Sequence, residues 1–233
     1  MKEKSKSSQQ MKNNADMDLS QRLEAFETLQ LKDDAAEVLK QALQLANDCQ
    51  QVRKYDTAIA VLNKILLSQD ASQNAVVQMA LGVAYWEKAQ LQKALNYFEE
   101  ALTLFKETHD VVGEAAILSI VGVTFWRKCD WNKALDILRS TSRKNYNADH
   151  RFISLYGAFD RGIAALQNRV RMGRELQKPL KILQPLFALC ALYWVMQNED
   201  QFRACLDEST RLAEQLGEAD ILRVVKDLQI MAN

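Results

Sequence analysis

Leu81-Gly82-Val83-Ala84-Tyr85-Trp86-Glu87-Lys88 returns forty residues later as Val121-Gly122-Val123-Thr124-Phe125-Trp126-Arg127-Lys128. Each copy runs into a second matching half: Gln92-Lys93-Ala94-Leu95 is answered by Asn132-Lys133-Ala134-Leu135, and Phe98 by Leu138. A fixed period of this size marks an array of stacked supersecondary units. Gly82 and Gly122 lie inside helical patterns, where Gly costs about 1 kcal/mol against Ala, so a close helix contact must offset them. Ala94 and Ala134 are the small residues such a contact needs on the second helix. Tyr85, Phe98 and Phe125 then fill the volume around it.

The pattern resembles the tetratricopeptide repeat, in which a Leu-Gly, an aromatic three residues later, and then Ala, Phe and Ala recur. Leu81, Gly82, Tyr85, Ala94, Phe98 and Ala101 fill those places in order. The first Trp of the pattern is absent, since Gln78 and Leu118 stand there, and Lys106 replaces the closing Pro. The resemblance implies an all-α fold, a right-handed α-α superhelix of about four to five helical hairpins. It also implies a non-enzymatic role, in which the first helices of successive repeats line a concave groove that holds a peptide or helix of a protein partner. Residues three before, one after and four after the repeat Gly would face that groove. These are Met79, Val83 and Trp86 in one unit and Ser119, Val123 and Trp126 in the next. Relatives that hold the acidic carboxyl terminus of a heat-shock chaperone use Lys and Asn one turn apart in the first unit, an Asn in the second and a Lys/Arg pair in the third. Asn47 occupies one such place, but Leu43 stands a turn earlier, Ala80 and Val83 occupy the second unit, and Ala116 and Ile120 the third. That clamp is missing.

At 233 residues the chain is long enough for about five forty-residue units. Only 7 Gly and 2 Pro punctuate it, too few turns for a many-stranded sheet protein. Cys49, Cys129, Cys190 and Cys205 have no close paired spacing and fall in helical, mostly apolar patterns. Buried thiols in a reducing, cytoplasmic setting are the reading that follows. Residues 1–16 contain nothing that can bury a core and read as a disordered basic tail, without the apolar run of a secretory signal. Residues 17–233 form the helical domain.

Beyond the tail, Leu19, Leu23, Phe26 and Leu29 fall on one helical face, and Asp33-Asp34 are placed to cap the next helix. The clearest repeats span 75–106 and 115–142. Degenerate repeats are expected over 35–68, 150–183 and 186–217, the fourth because a further step of forty from Gly122 lands on Gly162. An amphipathic helix over 218–231, with Ile221, Leu222, Val225 and Leu228 on one side, closes the array as a solenoid end requires.

No catalytic, cofactor-binding or metal-binding constellation accompanies this architecture. There is no Gly-rich phosphate loop, no Gly-x-Ser-x-Gly and no His-Glu-x-x-His, and the two histidines, His109 and His150, lie in connections. The charge distribution carries more. Lys+Arg and Asp+Glu both number 30, yet Arg139 to Lys181 holds ten basic residues against three acids, while Ala15 to Leu138 holds twelve against eighteen. Arg143, Lys144, Arg151, Arg169, Arg171 and Arg174 form a candidate anion-binding face for nucleic acid, an acidic lipid surface or an acidic protein. No nucleic-acid motif accompanies the charge, which disfavours the first. Ile182 to Met196 is the most apolar run, but with a Pro and a Gln it falls short of the roughly 20 residues a membrane span needs and reads as a buried or partner-facing helix. The sequence thus points to an adaptor or assembly factor that binds a protein segment in a groove centred on Trp86 and Trp126. The alternative is a peripheral factor that docks its 139–181 face on nucleic acid or a membrane.

Overall fold

The computed structural model describes residues 18–27, 35–66, 70–140 and 149–232, and among them there are helices and turns but no strand. In order they are α1 (18–27), α2 (Ala35–Gln51), α3 (Tyr55–Leu66), α4 (Ala71–Glu87), α5 (Leu91–Glu107), α6 (Val111–Arg127) and α7 (Trp131–Ser140). A 3-10 turn (His150–Phe152) then leads into α8 (Ile153–Glu175), α9 (Pro179–Val195), α10 (Glu199–Leu216) and α11 (Ala219–Ala232). The tail over 1–16, Leu29 and the Asp33-Asp34 cap lie outside the described residues.

Helices α2/α3, α4/α5 and α6/α7 pair as hairpins, and the repeat residues sit at their crossings. A Cβ on Gly82 would lie 2.5 Å from a ring carbon of Phe98, and one on Gly122 would lie 2.7 Å from Leu138 Cδ2. Only hydrogen fits there, so α5 and α7 approach α4 and α6 as the sequence requires. Ala94, Phe98, Ala101 and Ala134 are fully buried at the same crossings. The helix starts are capped by carboxylates, Asp70 accepting from the Gln73 N–H at 2.8 Å and Asp110 from the Gly113 N–H at 2.9 Å.

The turns are built alike. Arg53, Ala89, His109, Cys129, Gln177 and Gln197 all adopt left-handed backbone, with φ between 52° and 63°. At each, two successive N–H groups return to the end of the helix. The Ala89 N–H donates to Trp86 O at 3.1 Å and the Gln90 N–H to Tyr85 O at 3.0 Å, and Cys129/Asp130 and Gln197/Asn198 repeat this geometry. These bonds satisfy helix carbonyls that would otherwise be left unpaired, and so offset the roughly 1–2 kcal/mol that an L residue loses in this conformation.

After α7 the expected pairing changes. The unit expected over 150–183 contains one 23-residue helix, α8, where a hairpin was predicted. The polar stretch from Gln167 onward continues the helix because Gln, Arg, Met and Glu are good helix formers and outweigh the single Gly173, and no Pro interrupts it before Pro179. Gly162 is no repeat crossing, since a Cβ there would meet Leu192 at an ordinary 3.4 Å. The next hairpin is α9/α10, and it starts at Pro179, earlier than the expected 186. Helix α9 has the 17 residues of α4 and α6, and its Tyr193-Trp194 end matches Tyr85-Trp86. Leu183, Leu186, Phe187 and Leu189 through Val195 are buried, so the apolar run is core, and no described helix is long and apolar enough to cross a membrane. Helix α11 buries Ile221, Val224, Val225 and Leu228 and packs on α10 and α7.

Candidate partner-binding surface

Met79, Val83, Trp86, Ser119, Val123 and Trp126 occupy the inner face shared by α4 and α6, but that face is covered. Met79 and Val83 are fully buried, and Trp86 and Trp126 retain only 5% and 4% of their exposure. Helix α8 lies against α2 and α4, and α9 against α6. Phe159 of α8 meets the Trp86 ring edge-on, with centroids 6.5 Å apart, and Phe187 of α9 meets Trp126 at 4.7 Å. Ser119 turns its hydroxyl back to Ala115 O at 2.9 Å. The expectation of an open groove is therefore corrected: in the free chain these six residues are interior packing, because apolar rings of this size gain more against Phe159 and Phe187 than in water.

A polar seam fixes α8 in that position. Arg161 makes two bonds to the Glu87 carboxylate, at 2.7 and 2.9 Å, and a third to Asn47 Oδ1 at 3.1 Å. The Glu87 side chain is 7% exposed, so little water reaches it and Arg161 supplies its hydrogen bonds. Gly157 lets the α8 backbone pass Asn47 Oδ1, where a Cβ would collide. Asn47, the one residue that matched a chaperone-clamp position, is thus turned toward Arg161. Beside the seam, the Arg127 guanidinium lies 4.2 Å over the Trp86 ring and donates to Trp86 O at 3.1 Å; burial lowers its pKa, against the pull of Glu87. Neither Glu87 nor Arg161 stood out in the sequence, since their pairing joins residues 74 apart.

The expected basic face divides. Arg143 and Lys144 lie outside the described residues. Arg151 is structural: it pairs with Asp149 at 2.7 Å and Asp110 at 2.5 Å, tying the start of α8 to the start of α6. Burial alone would raise the Asp149 pKa, but hydrogen bonds from the Arg151 side chain and backbone outweigh it and hold the carboxyl below its usual range. Arg169, Arg171 and Arg174 remain together on the exposed second half of α8, with Arg171 paired to Glu175 at 3.0 Å and Arg174 to Glu208 at 2.7 Å. Lys178 and Lys181 follow, also exposed.

This second half of α8 is an overhang. Arg161 meets Asn47 near the end of α2 and Glu87 at the end of α4, and the helix then runs on to Glu175. At 1.5 Å per residue that is about 20 Å beyond those contacts. Ala165, Arg169, Met172 and Leu176 continue the face that carries Arg161, because they follow at helical spacings of three and four. Without α2 and α4 to cover them they are exposed. Met172, Leu176 and, across the turn, Leu180 keep 48%, 53% and 45% of their exposure. The sequence reading counted the charges here and missed the apolar residues among them.

The elbow between α8 and α9 is rigidly built. A Cβ on Gly173 would lie 2.8 Å from the carbonyl oxygen of Lys181. Pro185, four residues on, has no N–H to bond that carbonyl, so α8 can approach it at the one residue without a side chain. Gln167 adds a bond to the Tyr193 hydroxyl at 2.7 Å.

Of the four free cysteines, Cys129 is exposed and the other three are buried. Burial raises the Cys190 thiol and pushes Cys205 up to about 11, away from the thiolate a nucleophile needs. His109 and His150 are exposed, and among the described residues no group of three or more His, Cys, Asp or Glu could hold a metal ion.

Residues 73–143, which span α4 to α7, match the sequence profile of the tetratricopeptide repeat. Over those residues the chain is tetratricopeptide-like. Its all-α solenoid of hairpins is the architecture that the Gly82 and Gly122 crossings predict. Tetratricopeptide repeats generally mediate protein–protein interaction or scaffolding, and their family is typically non-catalytic. A search of curated proteins returns no match. Among solved structures the chain is similar to BtubC (BKLC) from P. vanneervenii, with 17% identity, 86% of this chain and 90% of that one covered, and a TM-score of 0.49.

Proposed function

We propose that this tetratricopeptide-like chain is a non-enzymatic, cytoplasmic adaptor, and that its protein partner docks on the α8–α9 elbow. The observation that carries the reading is the placement of large apolar side chains. The inner face keeps its tryptophans inside, whereas the elbow leaves Met172, Leu176 and Leu180 about half exposed on a braced backbone. Exposed apolar residues grouped on one rigid element mark interaction sites. Four unpaired thiols, three of them buried, suit a reducing compartment.

Site-specific photo-crosslinking tests the assignment. A photoreactive phenylalanine analogue at Met172 should give a discrete heavier adduct in a lysate of the native source, and one at Lys93, on the opposite helix layer, should give none. Adducts from Lys93 with none from Met172 would move the binding surface away from the elbow.

A further inference from the structure

We infer that the segment received by the elbow is an acidic amphipathic helix, with apolar residues one turn apart between Asp and Glu. The inference rests on the elbow being the docking surface, and it adds the chemistry of the occupant.

Charge complementarity is the first argument. From Ala164 to Lys181 the chain carries Arg169, Arg171, Arg174, Lys178 and Lys181 against Glu175, and Glu208 of α10 adds a second carboxylate beside Arg174, which leaves a net excess of three cations. The α2–α3 turn, Val52-Arg53-Lys54, begins five residues past Asn47, the residue that Arg161 contacts, and so stands at the foot of the overhang. It adds two exposed cations and Val52, itself 41% exposed. Arg171 and Arg174 already share carboxylates at 3.0 and 2.7 Å, so the elbow demonstrates on its own residues the pairing it would offer a partner.

Shape is the second argument. The overhang rises beside the ends of α2 and α4, so its apolar face looks over a step. A flat bilayer would meet the protruding tip of such a step. A rod about 10–12 Å across fits along it, and the 20 Å of α8 that extends past α2 and α4, its other side packed on α9, would accommodate about three to four turns. Met172 and Leu176 are four residues apart on one face, the spacing that anchors a helix against a helix. Apolar contact supplies residence and the cations supply orientation and encounter rate.

The test uses the intact protein and a fluorescein-labelled sixteen-residue peptide of Leu and Glu, with Leu at positions 3, 6, 7, 10, 13 and 14. A scrambled peptide of equal composition, a peptide with Lys for every Glu, and phosphatidylserine vesicles serve as the other arms. Anisotropy should report binding of the acidic amphipathic peptide alone, weakening severalfold between 50 and 200 mM salt. Met172→Asp/Leu176→Asp should weaken it tenfold or more, and Lys178→Glu/Lys181→Glu at least threefold. All four residues are exposed, so circular dichroism melting should be unchanged and fold loss is separable from binding loss. Equal binding of the scrambled peptide, or undiminished binding by the Asp variant, overturns the inference. Co-sedimentation with vesicles without peptide binding assigns the elbow to a lipid surface and overturns it too. If Met172 crosslinks a protein while the acidic peptide fails to bind, the docking surface stands and the helix chemistry falls; if neither occurs, both fall.

Discussion

Replacing Arg161 by Ala should loosen α8 from the inner face of the array. Arg161 supplies both bonds to a carboxylate that is 7% exposed, while its own side chain is 23% exposed. Removing one partner of a fully buried pair costs about 3–5 kcal/mol, because the remaining charge is left without solvent or counterion. Water reaches the open side of Arg161, so a smaller loss, about 2–3 kcal/mol, is expected here. Glu87→Gln keeps a hydrogen-bond acceptor and removes the charge, which should cost about 1–2 kcal/mol. The double variant Arg161→Ala/Glu87→Gln leaves no orphaned charge and should be less destabilised than the two single effects added together, with a coupling of about 1–2 kcal/mol. Urea unfolding followed by circular dichroism measures all four corners of the cycle. Tryptophan emission of a variant with Trp131 and Trp194 replaced by Phe adds a local readout. In the Arg161→Ala background the emission of the remaining pair, Trp86 and Trp126, should shift to longer wavelength before the helix signal is lost, since Phe159, which covers Trp86, sits on the same helix as Arg161. Single effects below about 0.5 kcal/mol, or strictly additive ones, would refute the reasoning that this pair holds α8 in place.

Two further predictions follow from the glycines and from Asp149. Gly173→Ala should destabilise by about 1–3 kcal/mol, because its new methyl meets the Lys181 carbonyl and the backbone cannot yield, whereas Gly162→Ala meets only the Leu192 side chain and should be neutral or stabilise by up to about 1 kcal/mol; paired thermal melts decide, and equal losses at both sites would remove the close approach at the elbow. Asp149, whose folded pKa is depressed, contributes stability that is present above its unfolded value near 3.8 and is lost as pH falls through the folded value. Asp149→Asn should therefore lower stability at neutral pH and flatten the decline of stability in acid, read from urea midpoints between pH 2 and 7.

Much of the array was legible because its local rules are written in residue types. Gly82 with Phe98, Gly122 with Leu138, and the apolar stripe of α11 each announce a contact made within one hairpin or one helix face. The turns were harder to read. Their left-handed positions carry Arg53, Ala89, His109, Cys129, Gln177 and Gln197, which show none of the Gly signal that marks such a position in sequence. The repeat expected over 150–183 rested on a coincidence of spacing at Gly162. A signal for one long helix was nevertheless present, because Phe152, Leu155, Phe159, Ile163, Leu166 and Val170 keep an unbroken rhythm of three and four. The closed inner face was legible only in part, in the apolar run Ile182 to Met196 that reads as a buried or partner-facing helix. Trp86 can equally greet a partner or a later helix of its own chain, and only the arrival of Phe159 decides between them.

Helix α8 also changes what kind of polymer this repeat protein is. An ordinary solenoid behaves as a one-dimensional chain of neighbours, in which units melt from the ends and can be added or removed with modest consequence. Here Arg161 ties Asn47, 114 residues away, to Glu87, 74 residues away, and α9 and α11 return to α6 and α7. Such closures make the first repeats hostage to the last ones. Loss of the C-terminal third would strip the cover from the first two hairpins and leave their rings in water, so the unit of inheritance and of folding is the whole array, with the slower assembly that distant contacts impose.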